Sequence, residues 1–262
     1  IVRYCDTWWG CPMANAFWSE QEATMYFGDG WAAADDVVTH ELTHGLISYT
    51  AGLYYYYQSG AINEHLADVF GELMDQGFET SADTAATTWL IGENAPPGAL
   101  RNMANPPAMN DPDSMTSPRY DISGSDEGGV HTNSGVGNKA AFLITAGGTF
   151  NGQTVRGLGI PKATRIYYRT LTTMLGSASD YEDLSRALPQ ACTNAIGVNG
   201  ITADDCTQVS RAVTAVAMST RAPNDIGGPP GRCPNGTAPA PVYSEDFEGT
   251  ASSIGTFSTA AG

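Results

Sequence analysis

Positive charge is scarce in this chain: 12 Lys and Arg stand against 28 Asp and Glu in 262 residues, a net charge of −16 with the histidines neutral. So few cations, and scattered, do not form the clustered patch that neutralises phosphates, which argues against nucleic acid or an anionic lipid surface as partner. Long apolar runs are missing too; no window approaches the roughly 18 residues that a membrane-spanning helix needs. Cysteine is sparse and odd in number, at five. Cys5 with Cys11 and Cys192 with Cys206 make two local pairs and leave Cys233 alone, a usage that favours an oxidising, extracytoplasmic home. The chain opens on Ile1 with no basic start leading into an apolar run, so no secretory signal is legible and a fragment or processed form is expected. The length suits one full domain and part of another.

Apolar residues recur at helical spacing over residues 36–50, with Asp35 and Asp36 at the start, and again over 59–77, where Ser59 is the expected N-cap. Further helices are expected over 137–146, 163–175, 180–196 and 202–218, the last opening on a Thr202–Asp205 capping box. Residues 89–130 are rich in Pro, Gly, Asn and Asp without periodicity, and read as a long ordered loop carrying function or ions. A shift to Pro and Gly over 222–241 marks a linker, and 242–262 looks like the first strand of an appended β-sandwich module. Asn235-Gly236-Thr237 matches a glycosylation sequon.

His40-Glu41-Leu42-Thr43-His44 lies in the first of these helices. Positions four apart project from one helical face, so the two imidazoles can share a zinc ion, and Glu41, a quarter turn away, can act as general base toward a water there. The extended HExxHxxGxxH pattern is absent, because Ile47 and Thr50 stand where Gly and His are needed. Glu64, twenty residues after His44 in AINEHLADVF, can turn back across the helix pair as third ligand and leave the fourth position open, as catalysis requires. His65 points elsewhere on its helix and is assigned a packing or solvated role.

With HELTH, TAGL, SGAINE, ADVFG and GGVHTNSGVGNKAAFLI in order across residues 15–218, the chain resembles the thermolysin family of secreted zinc metalloendopeptidases. The resemblance implies an α+β fold, mostly α here: a remnant of the amino-terminal β domain with a substrate-edge strand at 1–34, then a helical zinc domain at 35–221. The aminopeptidase relatives' GxMEN string is absent, which favours internal cleavage.

Carried over position by position, the resemblance makes His40, His44 and Glu64 zinc ligands and Glu41 the water-activating base. His131 and Tyr55 would bind the oxyanion, with Asp126 holding the His131 ring; among Tyr54–Tyr57 the tyrosine assignment stays open by one position. Asp68 would orient His40, and Asn63 would orient His44. Asn15, Ala16 and Arg101 would hold substrate backbone, and Val37, Ile91 and Leu100 would line an apolar pocket just past the scissile bond. Asp36, Glu72, Asp75, Glu93 and a carbonyl near Leu90 fall at calcium positions, although Thr88 replaces an acidic residue there. The resemblance implies zinc and structural calcium, protein or peptide substrates, a monomer, and a precursor with a propeptide. With only about forty residues of the amino-terminal domain here, two other readings stay open: a metal-containing module that binds peptides without cutting them, and an inactive fragment.

Overall fold

The computed structural model describes residues 2–3, 13–77 and 84–221. The chain divides into two units, 1–226 and 227–262. The second unit, with Cys233, the sequon and the appended strand, lies outside the described residues, as do most of the linker and the Cys5–Cys11 pair.

A three-stranded sheet comes first, of β1 (Val2–Arg3), β2 (Ala16–Ser19) and β3 (Thr24–Phe27) in the order β1-β3-β2, with β1 parallel and β2 antiparallel to β3. Among the described residues β2 stands at the end of this order. Two long helices follow, α1 (Asp35–Ser48) and α2 (Tyr57–Asp75). A short antiparallel pair, β4 (Leu90–Ile91) with β5 (Arg101–Asn102), and a 3-10 turn at Pro106–Met109 interrupt the expected loop. Then come α3 (Asp126–Ala146), the hairpin of β6 (Gly147–Phe150) and β7 (Gln153–Arg156), α4 (Ile160–Thr173), α5 (Tyr181–Thr193) and α6 (Ala203–Ala215).

The core gathers on α2, which packs between α1 and α3. Ile62, Leu66, Val69 and Leu73 recur at three- and four-residue spacing and are buried against Val136, Ala140 and Ile144 of α3. Burying each such side chain contributes roughly 1.5–3 kcal/mol. The α2–α3 crossing is close: a Cβ on Gly137 would lie 2.3 Å from the ring of His65. That fully buried ring meets Asn138 Oδ1 through Nδ1 at 3.0 Å and packs edge-on to Tyr167. Burial pushes the His65 pKa down to about 4, so it is a neutral core residue, consistent with its exclusion from the site.

Several boundaries differ from the sequence expectations. Ser59 is not an N-cap; α2 begins at Tyr57, and the Ser59 hydroxyl instead donates to the Ser177 carbonyl at 2.8 Å. Helix α3 starts well before residue 137 and opens on a left-handed turn at 126–129. The Gly147-Gly148 stop opens a hairpin whose Asn151-Gly152 turn has positive φ at both positions, the geometry that suits the twist of two-residue hairpins. The Thr202–Asp205 capping box forms as expected, and Asp180–Asp183 makes a second one on α5. Cys192 and Cys206 are joined in a disulfide between α5 and α6.

Candidate metal centre

Helix pitch places His40 and His44 on one face of α1, and α2 crosses beneath to bring Glu64 against them. The three form the one group of three or more candidate ligand side chains, among the described residues, able to share a metal ion. His40 Nδ1 meets Asp68 Oδ1 at 2.9 Å, and His44 Nδ1 meets Asn63 Oδ1 at 2.8 Å. The Asn63 amide nitrogen donates to the Leu53 carbonyl at 3.3 Å, which supports its oxygen facing His44.

Both acceptors fix the ring proton on Nδ1, which leaves lone pairs on the two Nε2 atoms. Those atoms face each other at 3.0 Å, with Glu64 oxygens 3.4 Å from each. Glu64 Oε2 has no hydrogen-bond partner. Two imidazole lone pairs and a carboxylate oxygen converging in this way repel unless a cation lies between them, and an N,N,O donor set suits zinc. Burial alone would raise the Glu64 carboxyl, but its histidine neighbours, His131 at 3.6 Å foremost, outweigh it and hold it well below its ordinary value.

Support for the three donors extends further than the two expected contacts. Arg101 forks onto Asp68 through two hydrogen bonds of 2.6 Å, and its Nη2 lies 3.7 Å from Glu64. Burial favours the neutral Asp68 carboxyl, yet the guanidinium more than offsets it and holds the pKa below the usual range. Asn138, two turns past His131 on α3, donates to Asp68 Oδ2 at 2.7 Å while its oxygen faces His65. Sequence reasoning gave Asn138 no role, although its seven-residue spacing from His131 was the available signal.

On the opposite side, Tyr55 donates to Glu64 Oε1 at 2.5 Å, and its hydroxyl is 3.1 Å from His131 Nε2. Of the four tyrosines, Tyr55 is the one that meets both Glu64 and His131. Burial, reinforced by Glu64, raises its pKa, so the hydroxyl keeps its proton. Asp126 accepts from the His131 backbone N–H at 3.0 Å and meets ring Nδ1 at 2.6 Å. Desolvation opposes charge on His131, but Glu64 and Asp126 together raise its pKa above 6.5.

These groups lie in a cleft of about 860 Å3 that Glu41 also lines. Burial raises the Glu41 carboxyl above its ordinary value, with His40 and His44 pulling the other way. Ala16, the first residue of β2, and Asn15 just before it border the cleft; Val37, Ile91, Leu100 and Arg101 line it as well. Phe17, Trp18, Trp31 and Tyr54 complete an aromatic wall that sequence reasoning did not identify.

Two of the acidic residues expected at calcium positions, Asp36 and Glu72, accept backbone hydrogen bonds. Asp36 is buried, accepts from Val37 N–H at 2.7 Å and also accepts from Gly92 N–H. Glu72 accepts from Trp89 N–H at 2.7 Å and from the Gln76 amide at 2.6 Å. Both thereby pin segment 89–92 to the helix pair.

The family model for the thermolysin metallopeptidase catalytic domain matches residues 2–48, and that for the thermolysin metallopeptidase α-helical domain matches residues 51–218. The chain belongs to the thermolysin metallopeptidase family. A zinc metalloproteinase of Renibacterium salmoninarum is 45% identical over 83% of the chain, and a thermolysin of Alicyclobacillus acidocaldarius is 41% identical over 78%. The chain spans 41% and 37% of the lengths of these two relatives. Among solved structures, the precursor of protealysin, a metalloproteinase from Serratia proteamaculans, superposes with a TM-score of 0.62 at 30% identity, covering 80% of this chain and 66% of that one. The two metallopeptidase family models meet just after α1, with the His-His-Glu group on either side of the junction, and the α-helical domain model agrees with the α+β, mostly helical fold expected.

Proposed function

We propose that this chain carries the catalytic site of a secreted zinc metalloendopeptidase that hydrolyses internal peptide bonds. The observation that carries it is the convergence of two Nε2 lone pairs and the Glu64 carboxylate beside Glu41 in the cleft. Zinc held by His40, His44 and Glu64 would supply Lewis-acid polarisation of water and of the scissile carbonyl. Glu41, buried and with its carboxyl raised above its ordinary value by desolvation, takes the proton of the attacking water and passes it to the leaving amine. Tyr55 and protonated His131, their polar atoms 3.1 Å apart, donate to the carbonyl oxygen as negative charge develops on it. Asp126 keeps His131 charged and aimed. Asp68 and Asn63 hold the two imidazoles with Nδ1 protonated.

Asn15, just before β2, and Ala16, its first residue, would hold substrate backbone as an edge strand at the cleft. Arg101 lies at the cleft wall to hold a substrate carbonyl, and Val37, Ile91 and Leu100 favour a bulky apolar side chain just after the cut. By the family resemblance, Asp36, Glu72, Asp75, Glu93 and the Leu90 carbonyl would provide the hard oxygen ligands that structural calcium takes. The same proposal includes a monomeric enzyme made with a propeptide; the likeness to a protealysin precursor supports the latter. Among the described residues no helix is long and apolar enough to cross a membrane.

The test is hydrolysis of an internally quenched peptide with Leu or Phe after the scissile bond, in zinc and calcium, by the parent and by Glu41→Gln. Cleavage by the parent, with a loss of about 100-fold or more in the variant at unchanged zinc content, is expected. Equal rates would refute the role of Glu41. Zinc bound without turnover by either protein would point instead to a module that holds peptides.

A further inference from the structure

Four consecutive residues, Asp126, Glu127, Gly128 and Gly129, have φ of 52°, 51°, 91° and 75°, a full left-handed turn directly before His131. L-residues avoid this conformation, and Asp126 and Glu127 adopt it without being glycine. Its product is the placement of Asp126, whose carboxylate reaches back to both the ring and the backbone N–H of His131. Such a turn persists only where surrounding structure over-determines it.

The Ser125 carbonyl accepts from both the Gly128 and the Gly129 N–H, and the Asn133 amide reaches the Gly128 carbonyl; the contact that comes from another segment of the cleft is Tyr57. Its ring lies flat against Gly128: a Cβ there would sit 2.4 Å from Tyr57 Cδ1 and 2.8 Å from Cε1. Tyr57 itself has a φ of 45°, an outlier for an aromatic residue at the first position of a helix. It stands two residues past Tyr55 and does not line the cleft. The ring therefore ties the segment that carries Tyr55 to the turn that carries Asp126 and His131.

We propose that Tyr57 is a positioning residue: its ring locks the left-handed turn so that His131 faces Tyr55, setting the spacing of the two groups assigned to the oxyanion. The inference rests on the endopeptidase reading for its catalytic consequence, but not for its geometry. The ring carbons, not the hydroxyl, make the contact, so Tyr57→Phe retains the function and Tyr57→Ala loses it.

Both variants are made in the zinc-loaded full chain, and kcat, KM and backbone hydrogen exchange are measured. For Tyr57→Ala, kcat falls about 10–100-fold with KM within about twofold, since a displacement on the order of 1 Å at a reacting centre costs this much. Exchange at the His131 amide rises about tenfold or more while the α5 and α6 amides stay unchanged. Tyr57→Phe matches the parent in both. If the Ala variant is too unstable, Tyr57→Leu gives the same comparison, keeping apolar bulk without a flat ring. Parent-like kcat and exchange in the Ala or Leu variant overturns the proposal, as does a rise in exchange spread evenly over the chain. If the parent cleaves nothing, the endopeptidase reading fails, and the His131 amide alone decides whether Tyr57 holds the turn.

Discussion

Asp111 follows the 3-10 turn of residues 106–109, is only 8% exposed and faces a crowded cation. Arg101, the guanidinium that would stabilise its charge, already forks onto Asp68 and lies 3.7 Å from Glu64. Burial therefore dominates, and Asp68 adds repulsion; Arg101 and His131 offset only part, and the pKa rises from 3.8 to about 7. Between those values the folded state keeps a proton that the unfolded chain has released. Stability thus falls as pH rises through that window, and below about pH 4 the group contributes no penalty. At 1.36 kcal/mol per pH unit the full displacement is about 4 kcal/mol, so Asp111→Asn is expected to stabilise the protein by about 2–4 kcal/mol at pH 8. The assay is urea unfolding from pH 4 to 8.5 in a Glu41→Gln background, which prevents self-digestion, with zinc and calcium present. Two stability curves that run parallel across this range would refute the reasoning, because the carboxyl would then titrate alike in both states.

Two further outcomes follow from the same geometry. Asp126→Asn removes a partner that raises the His131 pKa, so the alkaline fall in kcat/KM moves to lower pH, with a loss of about tenfold or more at pH 7; an unchanged pH profile of peptide cleavage would disconnect Asp126 from His131. Replacing Cys192 and Cys206 together by Ser opens a loop of 14 residues and costs about 3 kcal/mol in the chain-entropy model, read as a lower urea midpoint with unchanged zinc affinity. No change in midpoint would show that the bridge adds nothing to stability.

Much of the helical framework was legible because its signals are local. The apolar spacing of α2, the Thr202–Asp205 capping box and the close spacing of Cys192 and Cys206 each lie within one element or one connection. The missed hairpin had a local signal as well, the Asn151-Gly152 pair, but the glycines before it read as a plain helix stop. Ser59 misled for the opposite reason. It had the composition of an N-cap, yet a carbonyl 118 residues away took its hydroxyl.

The sequence by itself determined the chemistry of the site. Helix pitch puts His40, Glu41 and His44 in fixed relation, and Glu64 on the next helix makes a third donor available, which the packing of α2 against α1 brings beside the two rings. Only the tertiary structure decided which tyrosine faces His131, that Asn138 joins Asp68 to His65, and that Phe17, Trp18, Trp31 and Tyr54 wall the cleft. It also decided the left-handed turn that aims His131. Local propensity opposes that turn at Asp126 and Glu127, and it is held by hydrogen bonds with Ser125, Asn133 and His131 together with the packing of Tyr57. Periodicity along a chain records contacts within a helix or between its neighbours, but carries no record of a balance struck between segments seventy residues apart.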